Sequence, residues 1–515
     1  MENWERQLIL NKRLFQKAVS NAQLSLKNCK SNSAVAWAQV AANFAWQRHP
    51  GLFYSEPLES VLIEAAHGVN KEIPHGFSRK ISVPSANKDK RRVLHVMSQV
   101  YSGGGHTRVV VNWIRNTRET SVHGLITTAQ AEPLPEDLAS VIEESEGWYQ
   151  PLPSFTNLLE KAFLLRQASR DWADLVVIHT HPFDALPTVA FGETGGPPVI
   201  FMNHADHVFW LGSSVADIVA DWRLVGQKIT LTRRGVKNSK ILPLPITKRE
   251  SSFNRESIRK NLGISDEQIV LFSATAEYKF TPFGGYDFVA SLTETLKKNP
   301  YALLIVVGGP RLHGRWAQAS KSTNGRIKAM GSVNESDLAD FYTCADIYVD
   351  SFPAGSATSV LEAGIQGLPV VSLHKQEAPS LDGYDALAQD TFVNQSSSLE
   401  GFSSLLEDMI ACPSSYKEKA KTVQQSIMGT HFAHGWNMFL ENILRALPDK
   451  HSTKLIDLPD QIPDSSDFFL AGFQAAVHSN DLKNSVIALA SPARYLSRKE
   501  QLLFTLRFLT KSVRS

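Results

Sequence analysis

The residues with the richest chemistry lie in Asp350-Ser-Phe-Pro-Ala-Gly-Ser-Ala-Thr-Ser-Val-Leu-Glu-Ala-Gly-Ile-Gln-Gly-Leu-Pro-Val-Val371. A strand is expected to end at Asp350, small residues to make a turn, and a helix to open near Ser356. Unpaired N–H groups around Gly355 and Ser356, with the hydroxyls of Thr358 and Ser359, form an anion site suited to a diphosphate. Glu362 falls four residues after Thr358 and so shares its helix face. One turn below a phosphate site, a carboxylate cannot serve the phosphate but can accept the hydroxyls of a ribose. The bland alternative is an N-cap and a solvated glutamate in a strand–turn–helix unit.

Three other groups invite a chemical reading. Ser98-Gln-Val-Tyr-Ser-Gly-Gly-Gly-His-Thr107 follows an apolar strand and precedes the helix expected from Arg108 to Arg115. Gly104 and Gly105 let backbone amides approach an oxyanion, although a tight strand–helix turn explains them equally. His179-Thr-His181 and Asn203-His-Ala-Asp-His207 each follow an apolar strand. Strand alternation puts His179 and His181 on one face, but no carboxylate or cysteine completes a metal set there, so no metal is expected. Lys279 stands in Phe272-Ser-Ala-Thr-Ala-Glu-Tyr-Lys-Phe-Thr-Pro282. Alone, it reads as a solvated loop lysine.

The elements that must position these residues come in two series. Val93–Met97, Leu175–Ile178 and Val199–Met202 are apolar enough to be parallel strands covered on both faces. Ile269–Phe272, Ala302–Val307, Ile327–Met330, Ile347–Asp350 and Pro369–Leu373 begin a second series, with helical stretches between most of them. The expected fold class is therefore α/β, with two doubly wound, Rossmann-like domains facing a cleft and ligands at the C-terminal strand ends. Ala34–Trp46 and Pro57–Ala66 read as amphipathic helices ahead of them. The expected organisation is a helical module over 1–80, a linker over 81–92, domains over 93–245 and 246–445, and a linker with a basic helical tail over 446–515.

The passage from Asp350 resembles the donor-nucleotide segment of glycosyltransferases with the GT-B fold. Leu361-Glu-Ala-Gly-Ile-Gln-Gly-Leu-Pro-Val-Val371 is similar to the signature of the retaining family that includes lipopolysaccharide and mannosyl transferases. The resemblance implies that Glu362 holds the nucleotide ribose; that family usually has another glutamate where Ala354 stands here. Thr358-Ser359 followed by Glu362 equally resembles the inverting branch of protein O-GlcNAc transferases and adhesin N-glucosyltransferases. Phe272 to Pro282 resembles that branch's Tyr-Lys-x-x-Pro segment, which makes Lys279 the lysine that grips the donor diphosphate. The retaining branch usually adds an arginine near Thr275. Gly104 and Gly105 match the glycine loop that faces the donor phosphates, and His204 a histidine on the sugar and acceptor side, with Asp206 or His207 able to orient or replace it. By the same resemblance the backbone from Gly331 to Val333 reads a uracil edge.

The implied activity is metal-independent sugar transfer from a nucleotide sugar, a UDP-sugar, to a glycan, lipid-linked glycan or polypeptide, with no cofactor besides this co-substrate. Two alternatives are a nucleotide-sugar 2-epimerase and a catalytically silent GT-B partner subunit. Composition narrows the setting. The 515 residues suit about three domains, and 43% hydrophobic and 20% charged residues are ordinary globular usage. Fifty-three Lys+Arg against 51 Asp+Glu leave +2, too balanced for bulk phosphate neutralisation, so no nucleic-acid partner is expected. Three scattered cysteines and a charged N-terminus favour a cytoplasmic protein. The tail carries Lys483, Arg494, Arg498, Lys499, Arg507, Lys511 and Arg514 against Asp481 and Glu500, an excess suited to a solvated face or to the inner face of a membrane.

Overall fold

A computed structural model describes the chain except residues 1, 74–79, 86–88, 102–104, 155–156, 310, 376, 383–393, 460, 481 and 506–515; within helices, the side chains of 2, 70–72, 335, 480 and 482–485 are also left undescribed. Two compact units result. The first comprises Met1–Trp222, Gly226–Leu242 and Asn437–Ser515; the second comprises Arg223–Val225 and Pro243–Trp436.

Three helices open the first unit: α1 (Glu2–Lys27), α2 (Ser31–Gln47) and α3 (Glu56–Glu72). The alternation that follows is β1 (Arg91–Met97), α4 (Gly105–Thr117), β2 (Ser121–Thr127), α5 (Glu136–Glu144), β3 (Trp148–Pro151), α6 (Leu158–Trp172), β4 (Leu175–His179), α7 (Leu186–Ala190), β5 (Val199–Asn203), β6 (Ile218–Asp221), α8 (Leu224–Arg233) and β7 (Ser239–Ile241). All neighbours pair in parallel, in the order β3-β2-β1-β4-β5-β6-β7. The order reverses between β1 and β4, the place where doubly wound sheets bind ligands.

The second unit runs α9 (Arg255–Asn261), β8 (Ile269–Ala274), α10 (Phe288–Lys298), β9 (Ala302–Val307), α11 (Gly314–Ser322), β10 (Ile327–Ala329), α12 (Glu335–Cys344), β11 (Ile347–Val349), α13 (Ala357–Ile365), β12 (Val370–Leu373), β13 (Asn394–Ser396), α14 (Leu399–Ala411) and α15 (Pro413–His431). Its parallel sheet has the order β10-β9-β8-β11-β12-β13, with the switch point between β8 and β11. Leu271, Leu304, Ile347 and Val371 of this sheet share a core with Phe288 and Leu292 of α10 and Phe402 of α14. The inner strands β8, β9, β11 and β12 bury both faces, which is why their runs are so apolar, whereas the edge strands β10 and β13 leave Lys328 and Gln395 at least partly exposed.

The chain boundary at Trp436/Asn437 falls within α16 (Ala433–Ala446). α17 (Ser465–Asn480), α18 (Leu482–Ala490) and α19 (Arg498–Phe504) complete the first unit. α2, expected to be amphipathic, is instead buried along almost its whole length, its polar Gln39, Asn43 and Gln47 included, and Asn43 Nδ2 donates to the Ala488 carbonyl at 2.9 Å. Its Trp37 and Val40 share one hydrophobic core with Leu94 of β1, Val176 of β4, and Leu489, Leu496 and Phe504 near the C-terminus. Polar ties reinforce this. The buried Asp467 of α17 accepts from His49 at 2.7 Å and from Arg233 of α8 at 2.9 Å, and Glu500 of α19 accepts from Trp37 Nε1 at 3.3 Å. Among the described residues no helix is long and apolar enough to cross a membrane. Of the basic tail, Arg507, Lys511 and Arg514 lie outside the described residues, as does the side chain of Lys483.

Candidate functional site

In the second unit, adjacent strands at the switch point deliver two loops to one place. β8 leads into a 3-10 turn, Glu277–Phe280, that carries Lys279; β11 leads through Asp350 to α13. Lys279 Nζ donates to the carbonyl oxygen of Gly355 at 2.7 Å. Burial lowers the lysine pKa to about 8, against the pull of Asp350 and with the repulsion of Arg223. An ammonium held this way gains from an incoming anion, which restores the solvation that burial removed.

The start of α13 differs in one respect from the anion site expected around Gly355 and Ser356. Gly355 N–H donates to Leu381 O at 2.7 Å, and Ser356 N–H donates to Asp350 Oδ1 at 2.9 Å, so neither amide is unpaired. Asp350 is buried at the strand end, where it also accepts from Ser351 N and from Ser372 Oγ, and desolvation raises its pKa against these donors and the Lys279 and Lys375 charges. Ser356 occupies the N-cap position, yet its hydroxyl pairs with Ser359 Oγ at 3.1 Å and makes no cap bond. The amides of the first turn, Ala357, Thr358 and Ser359, therefore remain the donors that helix geometry leaves without intrahelical acceptors. The donors that the sequence places around Gly355 and Ser356 thus lie one residue further into the helix.

Glu362 lies one turn further along α13 and is 5% exposed. Its Oε1 accepts from Arg249 Nη2 at 3.1 Å and its Oε2 from the Tyr342 hydroxyl at 3.2 Å. Arg249 is itself anchored, since its carbonyl accepts from Gln366 Nε2 at 2.7 Å. A carboxylate offers about four lone-pair sites, and the guanidinium holds this one in a single rotamer. Gly331 follows β10 with φ +72, and its carbonyl accepts from Gly308 N at 2.8 Å; Val333 is half-buried beside it. β9 and β8 stand between β10 and β11, which puts Gly331 and Val333 about 14 Å along the sheet edge from α13 at the usual strand spacing.

Sequence reasoning missed several partners in this unit. Arg223 comes from far upstream, yet it donates to the Ser380 carbonyl at 2.6 Å and to that of Asp382, and its charge is felt at Lys279. It supplies a second cation near the lysine although Thr275 occupies the position expected of an arginine. Lys375 pairs with Asp382 in a fully buried contact, and His374 Nδ1 lies 2.7 Å from the same carboxylate. Nothing in the spacing of these residues announces such pairs.

In the first unit, His204 follows β5 and its Nε2 lies 2.9 Å from His179 Nδ1. Asp206 and His207, expected to orient it, pair with each other instead at 3.3 Å. His179 takes that part, and His181, two residues beyond the end of β4, stacks near Trp46 with ring centroids 6.3 Å apart. His106 of α4 packs on His204, centroids 3.9 Å apart. Burial pushes His204 well below the usual imidazole range, and His106 adds to the effect. Gly105 is the first residue of α4; Gly104 lies outside the described residues. No group of three or more His, Cys, Asp or Glu able to hold a metal ion is present among the described residues.

Two sheets of this order, each with its switch point at such loops, define the GT-B fold of glycosyltransferases. Residues 267–408 match the family model described as "Glycosyl transferases group 1", and this segment contains Lys279, Asp350, α13 and Glu362. Among solved structures, the chain is similar to a glycosyltransferase from Rickettsia africae (11% identity, TM-score 0.52, 70% of this chain and 98% of that one). It is also similar to Anabaena HepE in complex with UDP-glucose (14% identity, TM-score 0.51, 69% of this chain and 100% of that one). A third likeness is the N-terminal domain of Candida albicans trehalose-6-phosphate phosphatase (12% identity, TM-score 0.50, 72% of this chain and 100% of that one). No curated protein matches the sequence.

Proposed function

We propose that the protein transfers a sugar from a UDP-sugar to a hydroxyl or amide of a glycan, lipid-linked glycan or polypeptide in the cytoplasm, with its basic tail available to anionic lipid. The observation that carries this reading is the α13 start, where first-turn amides, Lys279 and Glu362 line up within the segment that matches group 1 glycosyl transferases. The HepE structure, which holds UDP-glucose, supports UDP as the nucleotide.

In this mechanism the first-turn amides and the hydroxyls of Thr358 and Ser359 bind the diphosphate, and Glu362 accepts the ribose hydroxyls. As the bond from the anomeric carbon to the diphosphate oxygen breaks, the electron pair stays on that oxygen. Lys279 then meets growing negative charge, so it acts on the transition state more than on binding. The helix and the lysine supply positive charge that a metal would otherwise bring. His204 takes the acceptor proton as the acceptor atom bonds to the sugar. The backbone from Gly331 to Val333 reads the base.

A screen of UDP- and GDP-sugars, read as thermal stabilisation and as donor hydrolysis, tests this. Stabilisation and hydrolysis with a UDP-sugar are expected. One observation favours a second reading, a silent subunit: both oxygens of Glu362 already accept hydrogen bonds from protein groups. Absence of stabilisation by any nucleotide sugar would select it.

A further inference from the structure

Four imidazoles cross the first sheet in one diagonal. Register places His123 of β2 opposite Val93, two residues before His95 of β1; His179 of β4 is opposite Met97, two residues after it. Continuing the β4–β5 register brings Met202 level with His179, two residues before His204. Each step moves one strand across and two residues toward the C-terminal edge, so period-2 alternation keeps all four rings on one face. The rings are bonded in series: His123 Nδ1 to His95 Nε2 at 3.0 Å, His95 Nδ1 to His179 Nε2 at 3.0 Å, and His179 Nδ1 to His204 Nε2 at 2.9 Å. α4 covers the same face: Trp113 packs edge-on against His95 and His179, and its two end turns meet the two ends of the chain, Thr117 at His123 and His106 at His204.

The far end sets a direction. Thr117 Oγ1 has a single proton, which it gives to the Trp113 carbonyl at 2.8 Å, so it can only accept from His123 Nε2, 3.0 Å away. His123 then carries its proton on Nε2 and accepts at Nδ1 from His95 Nε2–H. The same argument repeats at His95 and at His179, provided each ring is neutral. Burial holds His95 at about 3 and His123, His179 and His204 well below their ordinary value, so all four are neutral at physiological pH. Among the described residues no hydrogen bond is made at His204 Nδ1, and His204 is half-buried.

We propose that Thr117, His123, His95 and His179 act as positioning residues that lock His204 as its Nε2–H tautomer, leaving the Nδ1 lone pair as the site that receives the acceptor proton. A lone neutral histidine populates both tautomers, and the hydrogen bond at one nitrogen decides what the other can do. The chain ends on a helix carbonyl, so it fixes a tautomer and conducts no proton to solvent. The catalytic part rests on the reading of His204 as the base; the lock itself does not.

Nitrogen-15 NMR of histidine-labelled wild-type protein reads each tautomer directly. His123, His95, His179 and His204 are all expected as Nε2–H at neutral pH, and an Nδ1–H or doubly protonated His204 would overturn the proposal. His95→Phe removes the acceptor for His179 Nε2–H, so His179 should flip to Nδ1–H, donate to His204 Nε2 and drive the proton of His204 onto Nδ1. Transfer kcat should then fall about tenfold or more with the donor KM unchanged. His95→Gln offers an amide donor to His123 and a carbonyl acceptor to His179 and should restore both tautomer and kcat. An unshifted His204 in His95→Phe overturns the lock. Expected tautomers together with full activity in His204→Ala overturn the catalytic part alone. Should His95→Phe fail to fold, the wild-type spectrum still decides the lock.

Discussion

The 2.7 Å hydrogen bond from Lys279 Nζ to the Gly355 carbonyl joins the loop after β8 to the turn that opens α13. The ammonium is therefore held beside the turn that opens α13, and little side-chain entropy is left to lose if an anion binds there.

Replacing the lysine should separate chemistry from binding. Lys279→Ala is expected to lower kcat more than donor affinity, because charge on the departing diphosphate grows in the transition state. Retention of kcat to within about threefold, under ~1 kcal/mol, would exclude the lysine from the reaction.

The same lysine gives a pH signature. With its pKa lowered to about 8, Lys279 loses its proton as pH rises through that value, and an anionic ligand must then restore it on binding. UDP affinity should be constant below pH 7.5 and weaken by up to about tenfold per unit above pH 8. Calorimetry across this range checks it, and Lys279→Arg, which stays charged, should flatten the profile.

Glu362 and Arg249 should behave oppositely. Loss of a charge-assisted ribose contact in Glu362→Ala costs about 1.5–3 kcal/mol of UDP binding, roughly tenfold or more in Kd. Arg249→Ala keeps the carboxylate, so its Kd for UDP should stay within about threefold. Equal losses in both variants would mark the pair as a structural brace. The check is titration of UDP into each protein.

His204→Ala should leave UDP binding intact while transfer falls by about 10²–10⁴-fold. The double variant with His207→Ala should be no worse, because His207 pairs with Asp206. Single-turnover kinetics with a measured donor Kd distinguish this from a loss of binding in step with activity.

Acid should destabilise the first unit. Folded imidazoles held far below 6.5 stay neutral while the unfolded chain takes up protons, so stability present above about pH 6.5 is lost as pH falls from there toward 3. Each such ring contributes up to about 1.4 kcal/mol per pH unit. Asp221, raised to about 6 by burial, acts in the opposite sense below pH 6, and the buried Glu59, also raised, adds to it. The imidazoles outnumber these acids. Denaturant unfolding should show stability falling by more than ~1.4 kcal/mol between pH 6.5 and 5.5; a flat response would mean the rings are hydrated.

Much of the scaffold was legible in the sequence because strands buried on both faces read as apolar runs, as β1, β4, β5, β8, β9 and β12 do. β2 escaped because His123 and Gly124 interrupt it, and both are there for their neighbours. The Trp148 ring would lie 2.7 Å from a Cβ at position 124, and His123 serves the imidazole series. The strand–turn–helix around α13 could be read locally, since cap, turn and helix face are neighbours in sequence. The pairing of Arg249 with Glu362, the approach of Arg223 to Lys279 and the alignment of His95 between His123 and His179 depend on register and long-range packing. Those quantities have no local signature.

The shared core of α2 with Leu489, Leu496 and Phe504 also bears on how the chain folds during synthesis. Pro243–Trp436 is nearly continuous and can form its sheet as soon as it leaves the ribosome. The first unit is begun earlier but lacks its closing segment until residue 504 has emerged. At ~5–20 residues per second, the apolar surface of α2 and its sheet waits on the order of ten seconds or more for that segment. The order of completion is thus the reverse of the order of translation.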